Sequence, residues 1–98
     1  MTIKGITKQD EIIIQNILKP FSNKYDFYYY GSRVKGDFRA LSDLDILIKS
    51  NSDILIQDIE NIKQQFDESN LAYIVNLTNY NTIDNHFYKL IEKDLVKI

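Results

Sequence analysis

Gly31-Ser32-Arg33-Val34-Lys35-Gly36 and, after a short spacer, Ser42-Asp43-Leu44-Asp45-Ile46-Leu47-Ile48 form the stretch that decides the reading of this chain. Asp43 and Asp45 are separated by one residue at the head of an apolar, β-branched run. On an extended segment, alternate side chains point to the same side, so both carboxylates face one way. Such a pair suits magnesium, a hard cation that takes carboxylate and phosphate oxygens. Upstream, the aromatic run Tyr25 to Tyr30 reads as a strand, and Gly31-Ser32 as the turn that follows it. A turn of that kind presents backbone N–H groups and a hydroxyl to a phosphate tail. A phosphate grip close to a metal grip points to nucleotide chemistry.

Working outward, the 98 residues predict a single domain spanning 1–98, with no room for a separate substrate module. Hydrophobic content of 44% and charged content of 27% are those of an ordinary soluble fold. There is no cysteine, which excludes disulfides and thiolate metal sites and fits a cytoplasmic protein. Neither a signal peptide nor an apolar run of the roughly 20 residues that span a bilayer is visible, so no membrane association is expected. The net charge of −2, without a Lys/Arg cluster, argues against direct nucleic-acid binding. Phe87, Leu90, Ile91, Leu95, Val96 and Ile98 crowd the C-terminal end, and a homo- or hetero-oligomeric partner could cover them.

Helix and strand alternate along the chain. Thr7 is placed to cap a helix, with Asp10 in the capping-box position and Ile13, Ile14, Ile17, Leu18 and Phe21 as its apolar stripe. Pro20 marks the end of that helix. Gly31 to Ser42 reads as a turn, one turn of helix at most, and then loop; Leu44 to Ile48 reads as a strand. A second helix is expected from Ser52 or Asp53, carrying Leu55, Ile59, Ile62 and Phe66. A third strand is expected over Leu71–Thr78, a last helix capped by Thr82, and a short edge strand over Leu95–Ile98. This is an α+β (α/β-like) fold, a small mixed β-sheet flanked by helices.

The two quoted segments resemble the signature of the nucleotidyltransferase superfamily that includes DNA polymerase beta, most of all its minimal single-domain bacterial members (MNT proteins). The resemblance runs over nearly the whole chain. It implies the nucleotidyltransferase fold and a magnesium-dependent transfer of AMP from ATP, or of another NMP, onto a hydroxyl. It also implies an antitoxin role, with a HEPN-domain toxin as partner and acceptor. On this basis Asp43 and Asp45 are the catalytic metal ligands, and Gly31, Ser32, Arg33 and Lys35 bind the nucleotide phosphates. By residue type alone, Arg33 and Lys35 read equally well as solvated loop charges. Asp43 and Asp45 without Gly31-Ser32 would read as ordinary turn and strand-start residues. Tyr28, Tyr29 and Tyr30 read as strand residues rather than a base platform, and His86 as a surface residue.

One position departs from the family pattern. A third carboxylate normally stands on the next strand, yet Leu71-Ala72-Tyr73-Ile74-Val75-Asn76-Leu77-Thr78-Asn79 holds no acid. Asn76 occupies the expected place. Its amide offers a metal a carbonyl but carries no charge and is no base. Loss of a general base costs about 10²–10⁴ in rate. The alternative reading is therefore a catalytically impaired antitoxin that neutralises its partner by binding alone.

Overall fold

A computed structural model describes residues 3–98. Helix α1 spans Lys8–Leu18 and begins where expected, the Thr7 hydroxyl accepting from the Asp10 N–H at 3.1 Å. The Asp10 carboxylate accepts from the Tyr73 hydroxyl at 2.8 Å, tying the start of α1 to a distant loop. After a 3₁₀ turn over Lys19–Phe21 come β1 (Asp26–Tyr30), the short helix α2 (Ser32–Lys35) and β2 (Leu44–Lys49). Then follow α3 (Ile56–Asp67), β3 (Val75–Asn79), α4 (Asn85–Ile91) and β4 (Val96–Lys97).

The strands form one mixed sheet in the order β3-β2-β1-β4. β1 is antiparallel to β2 and β4, whereas β2 and β3 run parallel. The parallel pair requires a crossover, and α3 supplies it. Leu44, Ile46 and Ile48 are fully buried on the face covered by α1 and α3, where they meet Ile14, Ile62 and Phe66. Burying one such side chain contributes about 1.5–3 kcal/mol. The opposite face carries Asp45, Leu47 and Lys49 by strand alternation. There α4 lies across the sheet: Lys49 Nζ donates to the Tyr88 hydroxyl at 2.8 Å, and Tyr88 meets Tyr80 edge-on at 4.9 Å. β2 is thus covered on both sides along its middle, while Asp45 near its start and Lys49 at its end are half-buried.

Three boundaries differ by more than one residue from those expected. Helix α3 starts at Ile56 because the Tyr25 hydroxyl, just ahead of β1, accepts from the Leu55 N–H at 3.2 Å and donates to Asp58 at 2.5 Å. That cap is tertiary and leaves no local signal. β3 starts at Val75 rather than Leu71, because the Tyr73 side chain is drawn towards Asp10 and Arg33. Asp84, not Thr82, caps α4, accepting from the Phe87 N–H at 2.8 Å. The Thr82 hydroxyl instead donates to the Asn79 carbonyl at 3.1 Å and closes the turn after β3. Of the apolar C-terminal residues, Phe87 and Leu90 are exposed, while Ile91, Leu95, Val96 and Ile98 are half-buried. His86 is exposed, as expected. No helix among the described residues is long and apolar enough to cross a membrane.

Candidate active site

The site forms at the end of the sheet where β1 leaves and β2 enters. Tyr30, the last residue of β1, lies opposite Asp45. Gly31 then takes φ 87°, ψ −159°, a conformation open essentially to glycine alone. An added Cβ at this position would stand 2.3 Å from Asp45 Oδ2, so the turn backbone rests directly against that carboxylate. Ser32 opens α2 immediately afterwards. The first N–H groups of any helical turn lack intrahelical partners and remain available to an incoming acceptor.

In the parallel register Asp45 sits beside Asn76. Asn76 Nδ2 donates to Asp43 Oδ2 at 3.1 Å and to Asp45 Oδ1 at 3.2 Å. One nitrogen therefore touches both carboxylates, at a place where a single cation would touch both as well. Asp43 and Asn76 are exposed, while Asp45 is half-buried. Burial raises the Asp45 pKa above the usual carboxylate value; the Asn76 hydrogen bond opposes this and the Asp43 charge adds to it.

The donor set fits magnesium. Among the described residues no group of three or more His, Cys, Asp or Glu could hold a metal. Magnesium, however, is commonly held by one or two carboxylates together with substrate phosphates. Asp43 and Asp45 would supply the carboxylates, and Asn76 a carbonyl if its amide turned.

The remaining nominated residues lie differently. Arg33, expected either at phosphate or in solvent, is buried at 4% exposure. Its Nε and Nη2 donate to the Ser42 carbonyl at 3.0 and 2.9 Å, Nη2 also to Ala40 at 2.9 Å, and Nη1 to Gly5 at 2.5 Å. The guanidinium is occupied by the protein's own backbone and is not offered to a ligand. Lys35 is exposed and lies 3.9 Å from Asp94, ahead of β4.

Residues that the sequence did not assign to the site complete the surroundings. The Tyr30 hydroxyl shares a 2.7 Å hydrogen bond with Thr78 Oγ1, and the Tyr30 ring meets Phe87 of α4 edge-on at 6.2 Å. Burial, with the nearby Asp45 charge adding and the Thr78 bond opposing, raises the Tyr30 pKa. Only the strand alternation that places Tyr30 and Thr78 on the carboxylate face could have pointed to them.

Comparisons with known proteins bear on the family and the fold. The family model described as "Nucleotidyltransferase domain" matches residues 11–98. A Haemophilus influenzae protein named "Probable protein adenylyltransferase MntA" is 32% identical over 93 residues, covering 95% of this chain and 82% of that one. A solved structure described as "Crystal structure of the toxin-antitoxin with AMP-PNP" superimposes with a TM-score of 0.71. It shares 19% identity and covers 90% of this chain and 71% of its own, a likeness of fold. With the family match extending over nearly the whole chain, and an adenylyltransferase relative aligned along it, the chain belongs to the nucleotidyltransferase domain family.

Proposed function

We propose that the protein is a magnesium-dependent adenylyltransferase that moves AMP from ATP onto a hydroxyl of a HEPN-type toxin, and so acts as an antitoxin. The observation that carries this reading is the convergence of Asp43 and Asp45 on one point, with Gly31 packed against Asp45. The relative named as a protein adenylyltransferase and the toxin–antitoxin fold neighbour with AMP-PNP support it.

In the transfer, the acceptor oxygen bonds to the α-phosphorus, the bond to pyrophosphate breaks, and the hydroxyl proton leaves to solvent. Asp43 and Asp45 would hold a magnesium ion, which would supply neutralisation of charge on the triphosphate and on the departing pyrophosphate. The chain's own residues have mostly to position the reactants, since phosphoryl chemistry asks for little covalent help. Gly31 lets the backbone approach the phosphates, and the Ser32 hydroxyl donates to them. Lys35 is itself exposed and stands a loose 3.9 Å from the half-buried Asp94, so a phosphate can recruit it. Asn76 takes no proton, so the rate is lower than a third carboxylate would allow.

The same Asn76 favours a second reading: an antitoxin that neutralises its toxin by binding, on a site that no longer turns over. Intact mass of a HEPN-type partner after incubation with this protein, ATP and magnesium separates the two. Added AMP, absent with Asp43→Asn, supports transfer. An unmodified partner that still co-elutes, with either wild type or Asp43→Asn, supports neutralisation by binding.

A further inference from the structure

Arg33 lies in the middle of the glycine-turn signature but contacts neither Asp43 nor Asp45 in any described bond. Its donors go instead to the backbone segments that surround the site. Nη1 reaches the Gly5 carbonyl, ahead of α1. Nε and Nη2 reach the carbonyls of Ala40 and Ser42, the residues that lead into Asp43, with Arg39 a longer contact at 3.4 Å. The guanidinium carbon stands 3.9 Å from the centre of the Tyr73 ring and 5.3 Å from that of Phe38. Tyr73 precedes β3, the strand of Asn76, and is itself bonded to Asp10. At Gly5 a Cβ would meet Arg33 Cβ at 2.5 Å, so that position is shaped to admit this side chain.

Arg33 is also the second residue of α2, directly after Gly31-Ser32. One planar group therefore connects the turn to the approach to Asp43 and to the approach to Asn76. The loop it holds has little else to fix it: Ala40 and Leu41 are exposed, and the other bonds within it are local, from the Arg39 N–H to Ser42 Oγ at 2.8 Å and from the Ser42 N–H to the Arg39 carbonyl at 3.0 Å. No carboxylate bonds to the guanidinium in the described structure; carbonyl dipoles and aromatic faces satisfy its charge. A lysine, with a compact ammonium and no planar fork, reproduces neither the divergent carbonyl bonds nor the stacking.

We infer that Arg33 is a positioning residue, setting the distance between the Gly31-Ser32 turn and the Asp43–Asp45 pair by clamping the 39–42 loop against Gly5 and Tyr73. It acts through the placement of Asp43 and touches no nucleotide. The inference rests on the nucleotide reading of the site, and its test keeps the two apart.

The test is MgATP binding and magnesium-dependent transfer for wild type, Arg33→Lys and Tyr73→Leu, at a temperature where circular dichroism shows each variant folded. Wild type is expected to bind MgATP. Arg33→Lys is expected to need about tenfold more magnesium for half-saturation and to lose about 10²-fold in kcat, the scale of a roughly 1 Å misplacement. Tyr73→Leu removes the stacking and the hydroxyl's bond to Asp10 but leaves the carbonyl bonds of Arg33 in place, and is expected to shift both in the same direction by less. Amide exchange should quicken over residues 39–43 in both. Folded variants that keep the wild-type magnesium dependence overturn the positioning role while leaving the nucleotide reading intact. If Arg33→Lys does not fold, Tyr73→Leu with unchanged magnesium dependence overturns it alone. A wild type that binds no MgATP overturns the nucleotide reading, and the inference with it.

Discussion

Gly31 and Asp45 are in direct contact across the first turn of the β1–β2 connection: a methyl group on Gly31 would stand 2.3 Å from the Asp45 carboxylate oxygen. The obstructing atom is the end of a flexible side chain, so the fold can yield by moving Asp45. Gly31→Ala is therefore expected to cost about 1–3 kcal/mol for its positive φ. It should cost disproportionately more in MgATP affinity, because Asp45 is displaced. Comparing the thermal midpoint with calorimetric MgATP binding checks this; loss of stability with unchanged affinity would contradict it.

The Asn76 bridge gives the second prediction. Asn76→Asp restores a third carboxylate but removes the donor that links Asp43 and Asp45. Three converging carboxylates repel one another, so the variant should melt below wild type in EDTA. Magnesium should reverse that difference, since a ligand bound only by the folded state stabilises it. Transfer should rise, by up to about 10²-fold if the new acid acts as a base. Melting curves with and without magnesium, followed by initial rates, check both.

How far these relationships could be read from the sequence depends on their range along the chain. The common side of Asp43 and Asp45 follows from strand alternation alone, and Gly31 from its place between a strand and a helical turn. Arg33 could not be read this way, because Gly5 and Tyr73, which decide its burial, are distant in sequence. The same holds for the Tyr25 cap on α3 and for the start of β3, where Tyr73 is committed to Arg33 and Asp10. At the start of α4 the ambiguity was local. Thr82 and Asp84 are both good caps, and the turn closing β3 had already taken the Thr82 hydroxyl.

Asp45 yields a pH prediction. Its folded pKa is raised, chiefly by burial. A raised carboxylate contributes its stability fully below the ordinary range near ~3.9 and loses it as pH rises through the folded value. Asp45→Asn should therefore raise the thermal midpoint at neutral pH and leave it unchanged in strong acid, while abolishing transfer. In the wild type, protons compete with magnesium for Asp45, so acidification should raise the magnesium needed for half-maximal transfer. Melting curves and rates across the acid limb measure both.

Tyr25 gives a stability prediction away from the site, at the other end of β1 from Gly31. Its hydroxyl accepts from Leu55 N–H and donates to Asp58. Tyr25→Phe removes both bonds but leaves Asp58 its 3.7 Å approach to Lys24 and the Leu55 N–H to solvent, at a cost of about 0.5–1.5 kcal/mol. Each kcal/mol corresponds to about 4–8 °C in a domain of this size. The thermal midpoint should fall accordingly while MgATP affinity holds.

That Asp43 and Asp45 together hold a metal-bound nucleotide is tested most directly by titrating ATP into the wild type and Asp43→Asn by calorimetry, with and without magnesium. Saturable binding that requires magnesium and is lost in Asp43→Asn is the expected result. Absence of binding in the wild type, or binding of equal strength in Asp43→Asn, would contradict it.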